Sequence, residues 1–285
     1  MDLNTVTSVI PARHRDDLRA LRPGVVPLAG GSELFADPRV HLTGLVDLNT
    51  FGWSALTATD EGLDIAATCT VAELSRLAAE PGWTAHPLFY QCCTALFGSF
   101  KVWNVATVGG NLATALPAGP MITLAVALDA ELLVWRADGS DELMPALHLV
   151  TGNMTTVLDH GDVLRSIHIP TNVLQSRTAY RKIALSPIGR SGAVLAGRLD
   201  ANGTFALTVT GGTVRPVQLR YPAIPDAATL LADITAIDQW FTDAHGAADW
   251  RQAVSGVLGE EIRAELALPA APTKSPLRGA GTEPA

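Results

Sequence analysis

Charge is scarce in this chain, and what there is has the wrong sign for nucleic acid. Charged residues make up 17% of the 285, against roughly a quarter in an average soluble protein, while 48% are hydrophobic, which excludes intrinsic disorder. Lys and Arg number 20 against 28 Asp and Glu, so no basic stripe exists to neutralise a phosphate backbone, and DNA and RNA are excluded as partners. Cysteine is nearly absent. Cys69, Cys92 and Cys93 cannot build a disulfide framework or a four-cysteine iron–sulfur cluster; they read as buried packing in a reducing cytoplasm. Long apolar runs are missing too. The most apolar stretch, Leu124 to Trp135, is too short for a bilayer and carries Asp129 and Glu131, so no membrane association is expected. The first eighteen residues contain acids and no apolar h-region, unlike a secretory signal. The seven histidines fall at no metal-ligand spacing, and no Gly-x-Ser-x-Gly elbow is present, so neither a metal site nor a serine hydrolase is expected.

What is present is patterned as mixed α and β. At this length two cores are expected. Val25–Ala29, Leu45–Leu48 and Leu63–Cys69 are short apolar runs bounded by turn residues, and they alternate with helical periods. Thr70, with Glu73 three residues on, forms a capping-box pattern ahead of Val71, Leu74 and Leu77. Met121 to Leu128 reads as an apolar helix, followed by a strand over Glu131–Trp135 that opens a hairpin at residues 137–140. The alternating segment ending at Pro170 and the polar stretch Thr171–Arg177 set the main boundary. Beyond it, strands are expected at 179–184, 192–199 and 204–211, then helices at 227–244 and 248–266. Trp250, Val254, Val257, Leu258, Ile262 and Leu266 are expected to share one face of the last helix. Residues 269–285 read as a loose tail.

Two glycine motifs carry most of the chemistry. Pro27-Leu28-Ala29-Gly30-Gly31-Ser32-Glu33-Leu34 ends a strand in a glycine pair followed by a candidate cap residue, and Asn104 to Leu112 holds a second pair at Gly109-Gly110. Glycine turns let a ligand approach the backbone, and unpaired amides there attract anions. Neither motif is a Walker loop, and neither has Gly-x-Gly-x-x-Gly spacing. No Lys or Arg lies in 24–38 or 104–120, so a phosphate held here would be met mainly by amides and hydroxyls, as suits a pyrophosphate bridge.

Leu-Ala-Gly-Gly-Ser-Glu-Leu at 28–34 and Ala-Thr-Val-Gly-Gly-Asn-Leu at 106–112 resemble the paired flavin motifs of the FAD-binding subunits and domains of molybdopterin-dependent dehydrogenases. The family includes xanthine dehydrogenase and the medium subunit of carbon monoxide dehydrogenase. Similarity continues through Gly161–Pro170, Ala179–Lys182, Gly211–Pro216 and Asp249–Arg251. The resemblance implies an α+β protein with the vanillyl-alcohol-oxidase-like FAD-binding fold: two α/β subdomains at about 1–55 and 56–170, together the FAD-binding domain 1–170, and a small C-terminal α+β domain at 176–268. By the match, FAD would be held by Ala29, Gly30, Gly31, Ser32, Glu33 and Leu34, by Phe97, by Thr107, Gly109, Gly110 and Asn111, and by Leu164 and Lys182. Trp103 reads as core or as a flavin contact. Lys182 reads either as a surface lysine or as a charge facing the reduced flavin.

The resemblance also implies electron transfer between a partner redox centre and an acceptor, with a molybdenum-cofactor subunit and an iron–sulfur subunit as partners. Two other readings stay open: a free-standing flavoenzyme acting directly on a small organic substrate, and a binding relative without cofactor. One departure stands out. Where the family commonly reads Ser-Pro-x-x-Asp, with the aspartate bonding FAD, this chain has Leu116-Pro117-Ala118-Gly119-Pro120.

Overall fold

The structure, a computed structural model, describes residues 3–269, so the expected tail lies outside the described residues apart from Pro269. The chain opens with β1 (Ser8–Pro11), β2 (Val25–Leu28) and β3 (Gly44–Asp47), paired as a parallel sheet in the order β1-β3-β2. Its small core holds Val25, Val46 and Leu48. Then follow β4 (Leu56–Ala58), β5 (Gly62–Ala66), α1 (Val71–Leu74), α2 (Pro87–Ala95), α3 (Phe100–Trp103), α4 (Val108–Thr114) and α5 (Pro120–Ala127). The hairpin β6 (Glu131–Trp135) and β7 (Asp141–Pro145), the short pair β8 (Val150–Gly152) and β9 (Thr155–Thr156), and β10 (Val163–Pro170) complete this part. The second sheet runs β4-β5-β10-β6-β7, and every pairing in it is antiparallel. Its five helices are inserted between β5 and β6, so the sheet does not arise from βαβ repetition, and the architecture is α+β.

The capping box at Thr70 is formed: Glu73 N donates to Thr70 Oγ1 at 3.1 Å, and Thr70 N donates back to Glu73 Oε2 at 2.8 Å. The helix it starts is only one turn long. The polar stretch after Pro170 is a crossing with a hydrophobic anchor, because α6 (Thr171–Leu174) buries Val173 and Leu174.

The C-terminal part is an antiparallel meander, β11 (Arg177–Ile183), β12 (Ala193–Leu199), β13 (Phe205–Thr210) and β14 (Val217–Tyr221), backed by α7 (Ala227–Thr235) and α8 (Ala248–Ala267). It has four strands where the sequence pattern predicts three; β14, Val-Gln-Leu-Arg-Tyr, is an edge strand without a continuous apolar run. The helical spacing through residue 244 also breaks early. α7 stops at Thr235, and Trp240 instead forms a bridge with Thr213. On α8 the buried positions are Arg251, Ser255, Gly256, Gly259, Ile262 and Leu266, while Val257 is exposed. Glycines at 256 and 259 let α7 approach closely, through Leu231 and Ile234, so the packed stripe is smaller in side-chain volume than the apolar spacing suggests.

α5 joins the two parts. Every residue from Pro120 to Ala127 is buried, because the helix packs between the main core and the strands β12 and β13. Thr123 and Thr210 share a buried hydroxyl hydrogen bond of 2.7 Å, and the buried Arg198 donates to Ala127 O at 2.7 Å. Arg198 and Arg220 also pair with Asp129. Burial pushes the Asp129 carboxyl up, but the hydrogen bonds from Arg220 and Arg198 more than reverse this and hold it below its ordinary value. No helix among the described residues is long and apolar enough to cross a membrane.

Candidate functional site

The first glycine motif is the loop leaving β2. Asn49 Nδ2 donates to Ala29 O at 2.9 Å and anchors the loop to the turn after β3. Gly31 takes φ +69°, and a Cβ there would lie 2.7 Å from the Phe35 ring, so both conformation and space demand glycine. Phe35 N closes back on Gly31 O at 2.8 Å, and Ala36 N on Glu33 O at 3.1 Å. No helix follows, so Ser32 caps nothing. The consequence is a run of free donors: the amides of Gly30, Gly31, Ser32, Glu33 and Leu34 donate no hydrogen bond to any group among the described residues. Such a run is a concavity of partial positive charge suited to an anion.

The second motif is built differently. It is the first turn of α4, where Thr107 Oγ1 accepts from Gly110 N at 3.0 Å as a helix cap. Val108 N donates to Cys69 O and Gly109 N to Ala67 O, so these amides are consumed by the end of the β5 segment. Glycine is needed at 109 for approach, since a Cβ would overlap Ala67. The two motifs also touch, because a Cβ on Gly30 would overlap the Val105 carbonyl. The free amides belong to the first motif, and the second supplies a closely packed wall.

Between the motifs lies a cavity of about 630 Å³, within the roughly 300–1,000 Å³ typical of ligand sites. Ala29, Gly30, Gly31, Ser32, Glu33 and Leu34 line it, as do Phe97, Thr107, Gly109, Gly110, Asn111 and Leu164. These come from the loop after β2, the segment after α2, the start of α4 and β10, so residues more than 130 positions apart converge. Leu164 is presented at a bulge in β10, where its register with β6 shifts. Phe97 is largely exposed at the rim.

Lys182 and Trp103 do not line the cavity. Lys182 is exposed on β11, and its Nζ donates to Thr94 O at 3.1 Å at the end of α2. Trp103 packs against the main core. Pro120 is also absent from the wall; it is buried in the first turn of α5, where Asn111 Oδ1 accepts from Met121 N at 3.0 Å. Thus the Asn111 side chain ties the second motif to α5 at the place where the sequence lacks its aspartate.

Several wall residues carry no signal in the sequence pattern. Arg39 lies one position beyond the window found free of cations, and it is the sole Lys or Arg on the wall among the described residues. Asp162 also lines the cavity, but its carboxylate is occupied, accepting from Arg136 Nη1 at 2.5 Å, Asp159 N at 2.8 Å and Ala137 N at 2.9 Å. Met154, held at φ +55° with its amide donating to Ala115 O, adds an apolar rim. The short loop sequences have no period from which these could be read. The cysteines stay apart from the wall: all three are buried and unpaired, and burial pushes the Cys69 and Cys93 thiols up to about 12 and Cys92 well above its ordinary value. No cluster of three or more metal-ligating side chains occurs among the described residues.

Residues 6–172 match the family of the FAD binding domain in molybdopterin dehydrogenase. The chain belongs to that family. Its cofactor is accordingly FAD, and the free amide run facing a glycine-packed wall fits a dinucleotide with a pyrophosphate bridge. The glyceraldehyde dehydrogenase medium chain of Sulfolobus acidocaldarius is 28% identical over 141 residues, 49% of this chain and 46% of the relative. The match thus spans about half the length of that curated relative. Among solved structures, a chain of the reconstituted CO dehydrogenase from Oligotropha carboxidovorans superposes with a TM-score of 0.80 at 22% identity, covering 93% of this chain and 99% of that one. A chain of quinoline 2-oxidoreductase from Pseudomonas putida 86 gives 0.78 at 20% identity, covering 93% and 98%. The fold is therefore shared along nearly the whole described chain, C-terminal part included, as the α+β reading expects.

Proposed function

We propose that this chain is the flavin subunit of a molybdenum-dependent dehydrogenase, passing electrons between a partner redox centre and an acceptor through non-covalently held FAD. The observation that carries the reading is the convergence of twelve of the thirteen expected residues on one cavity with a run of free amides. When bound, FAD supplies a centre that accepts electron pairs and releases electrons singly or together. The chain's own part is to bind and orient it. The amides of Gly30 to Leu34 hold the phosphates, Thr107 and the glycines of α4 permit close approach, and Leu164 and Phe97 cover apolar surface and exclude water. Lys182 is assigned to the flavin rim on the resemblance, supported by its tether to Thr94, three residues before Phe97. The boundaries 1–170 and 176–268 are assigned to an FAD-binding domain and to a C-terminal α+β domain.

A molybdenum-cofactor subunit and an iron–sulfur subunit are the partners, in keeping with a family named for molybdopterin dehydrogenase and a relative named a medium chain. The cytoplasm is assigned because three unpaired thiols suit a reducing compartment. Two experiments test the reading. Heat denaturation should release soluble flavin with the mobility of FAD; flavin remaining with the precipitate would point to covalent attachment, with His41 the sole His or Cys on the wall among the described residues. Purification of the tagged chain from its native host should bring molybdenum and iron with it, whereas reduction of the flavin by a small organic substrate in the isolated chain would establish a free-standing enzyme.

A further inference from the structure

The cradle supplies dipoles, but a pyrophosphate brings two full negative charges into a partly buried site. Its acidic wall residues make the imbalance worse. Asp162 is matched by Arg136, but Glu33 sits inside the phosphate loop itself, 3.5 Å from Arg39 Nη2. Arg39 is not committed to that contact. Nη2 reaches Glu33 O at 3.4 Å and Oε1 at 3.5 Å, both at the outer limit of a hydrogen bond, and Arg39 Nε is buried with no partner. A guanidinium has five donors, and leaving one buried and unpaired is costly unless something else occupies it.

We propose that Arg39 is the cation that neutralises the pyrophosphate of FAD, and that the Glu33 carboxylate is its placeholder, giving up the guanidinium when the cofactor binds. This rests on the reading of the cavity as the FAD site. Two opposed roles follow from one loop: the Glu33 amide attracts the phosphates while its carboxylate repels them. The planar fork of Arg39 supplies the charge-assisted bonds that amides cannot.

The test is titration of the full chain, stripped of flavin, with FAD, ADP and riboflavin, following flavin fluorescence and, for ADP, displacement of FAD. Arg39→Gln should weaken FAD and ADP by about ten- to hundredfold, the range of one or two charged hydrogen bonds, and leave riboflavin within twofold. Arg39→Lys, which keeps the charge without the fork, should fall between. Glu33→Gln should tighten FAD and ADP severalfold, and this opposite sign keeps the test decisive if Arg39→Gln does not fold. Unchanged FAD affinity in both Gln variants, or a riboflavin loss equal to the FAD loss, overturns the proposal while leaving the FAD reading intact. A wild-type chain that binds neither FAD nor ADP overturns both.

Discussion

The two glycine pairs look alike in sequence and do opposite work in the structure. Gly30-Gly31 leaves a strand, reverses through a positive φ and leaves five consecutive amides without partners among the described residues. Gly109-Gly110 enters a helix, and its amides are consumed by Ala67 O and the Thr107 hydroxyl. The difference is what precedes each pair. Thr107 can cap a helix and does, whereas nothing caps the chain after Leu28, so it turns. A glycine pair is therefore ambiguous between a ligand cradle and a packing contact until its amides are accounted for.

The largest effect that should separate them comes from valine at each pair. Gly109→Val forces side-chain atoms into Ala67 and should cost about 3 kcal/mol or more, lowering the thermal midpoint by roughly 6–12 °C with or without FAD. Gly31→Val should cost less in the apo-protein, about 1–2 kcal/mol of backbone strain, yet abolish FAD retention. Gly139 is the control, since it also has positive φ but a Cβ added there would meet no atom within 4 Å; Gly139→Val should keep its flavin. Equal flavin loss at 31 and 139 would mean that folding alone had been measured.

Next in size is Pro120→Asp. Pro120 is buried and off the cavity wall, so the new carboxylate should lower the thermal midpoint by several degrees, from an unpaired charge costing a few kcal/mol, without tightening FAD. Tighter binding would place residue 120 against the cofactor after all. Thr107→Ala removes the cap of α4 and should cost about 1 kcal/mol in a denaturant titration, with Thr107→Ser restoring most of it.

The smallest effect per residue is a pH dependence confined to the packed side. The thiols of Cys69, Cys92 and Cys93 have folded pKa values raised above their ordinary 9.0, so their contribution is intact below pH 9 and lost as pH rises toward about 12. At pH 9.5 the chain should be less stable than at pH 8 by about 2 kcal/mol in all, just under 1 kcal/mol from each of the three thiols. Thiol labelling of the native protein should be slow at both pH values and become fast only on unfolding.

Much of this is legible in the sequence because the relevant elements are regular. The runs at Val25, Glu131 and Gly192 alternate or cluster cleanly and form strands within a residue of the expected bounds, while the run at Leu63 forms a strand that ends at Ala66, three residues before the expected Cys69. β14 escapes a search for continuous apolar runs because its signal is alternation, with Val217, Leu219 and Tyr221 packed on the C-terminal core and Gln218 and Arg220 between them. The helical spacing overshoots α7 because Ile237 and Trp240 keep that spacing while serving a loop that returns to Thr213. The cavity wall is legible through its glycines, whose backbone demands are local. Arg39 and Asn111 are not legible in their roles: one reaches the wall from beyond a turn, and the other spends its side-chain oxygen on a helix ten residues away.

Hydrogen exchange by mass spectrometry, read on two peptides of the full chain with and without FAD, tests the central contrast most directly. In the stripped protein the amides of residues 30–34 should exchange quickly, and FAD should slow them by at least about tenfold, while those of residues 108–111 are already protected and change little. Protection at 30–34 before FAD is added, or an FAD-induced change confined to 108–111, would contradict the account.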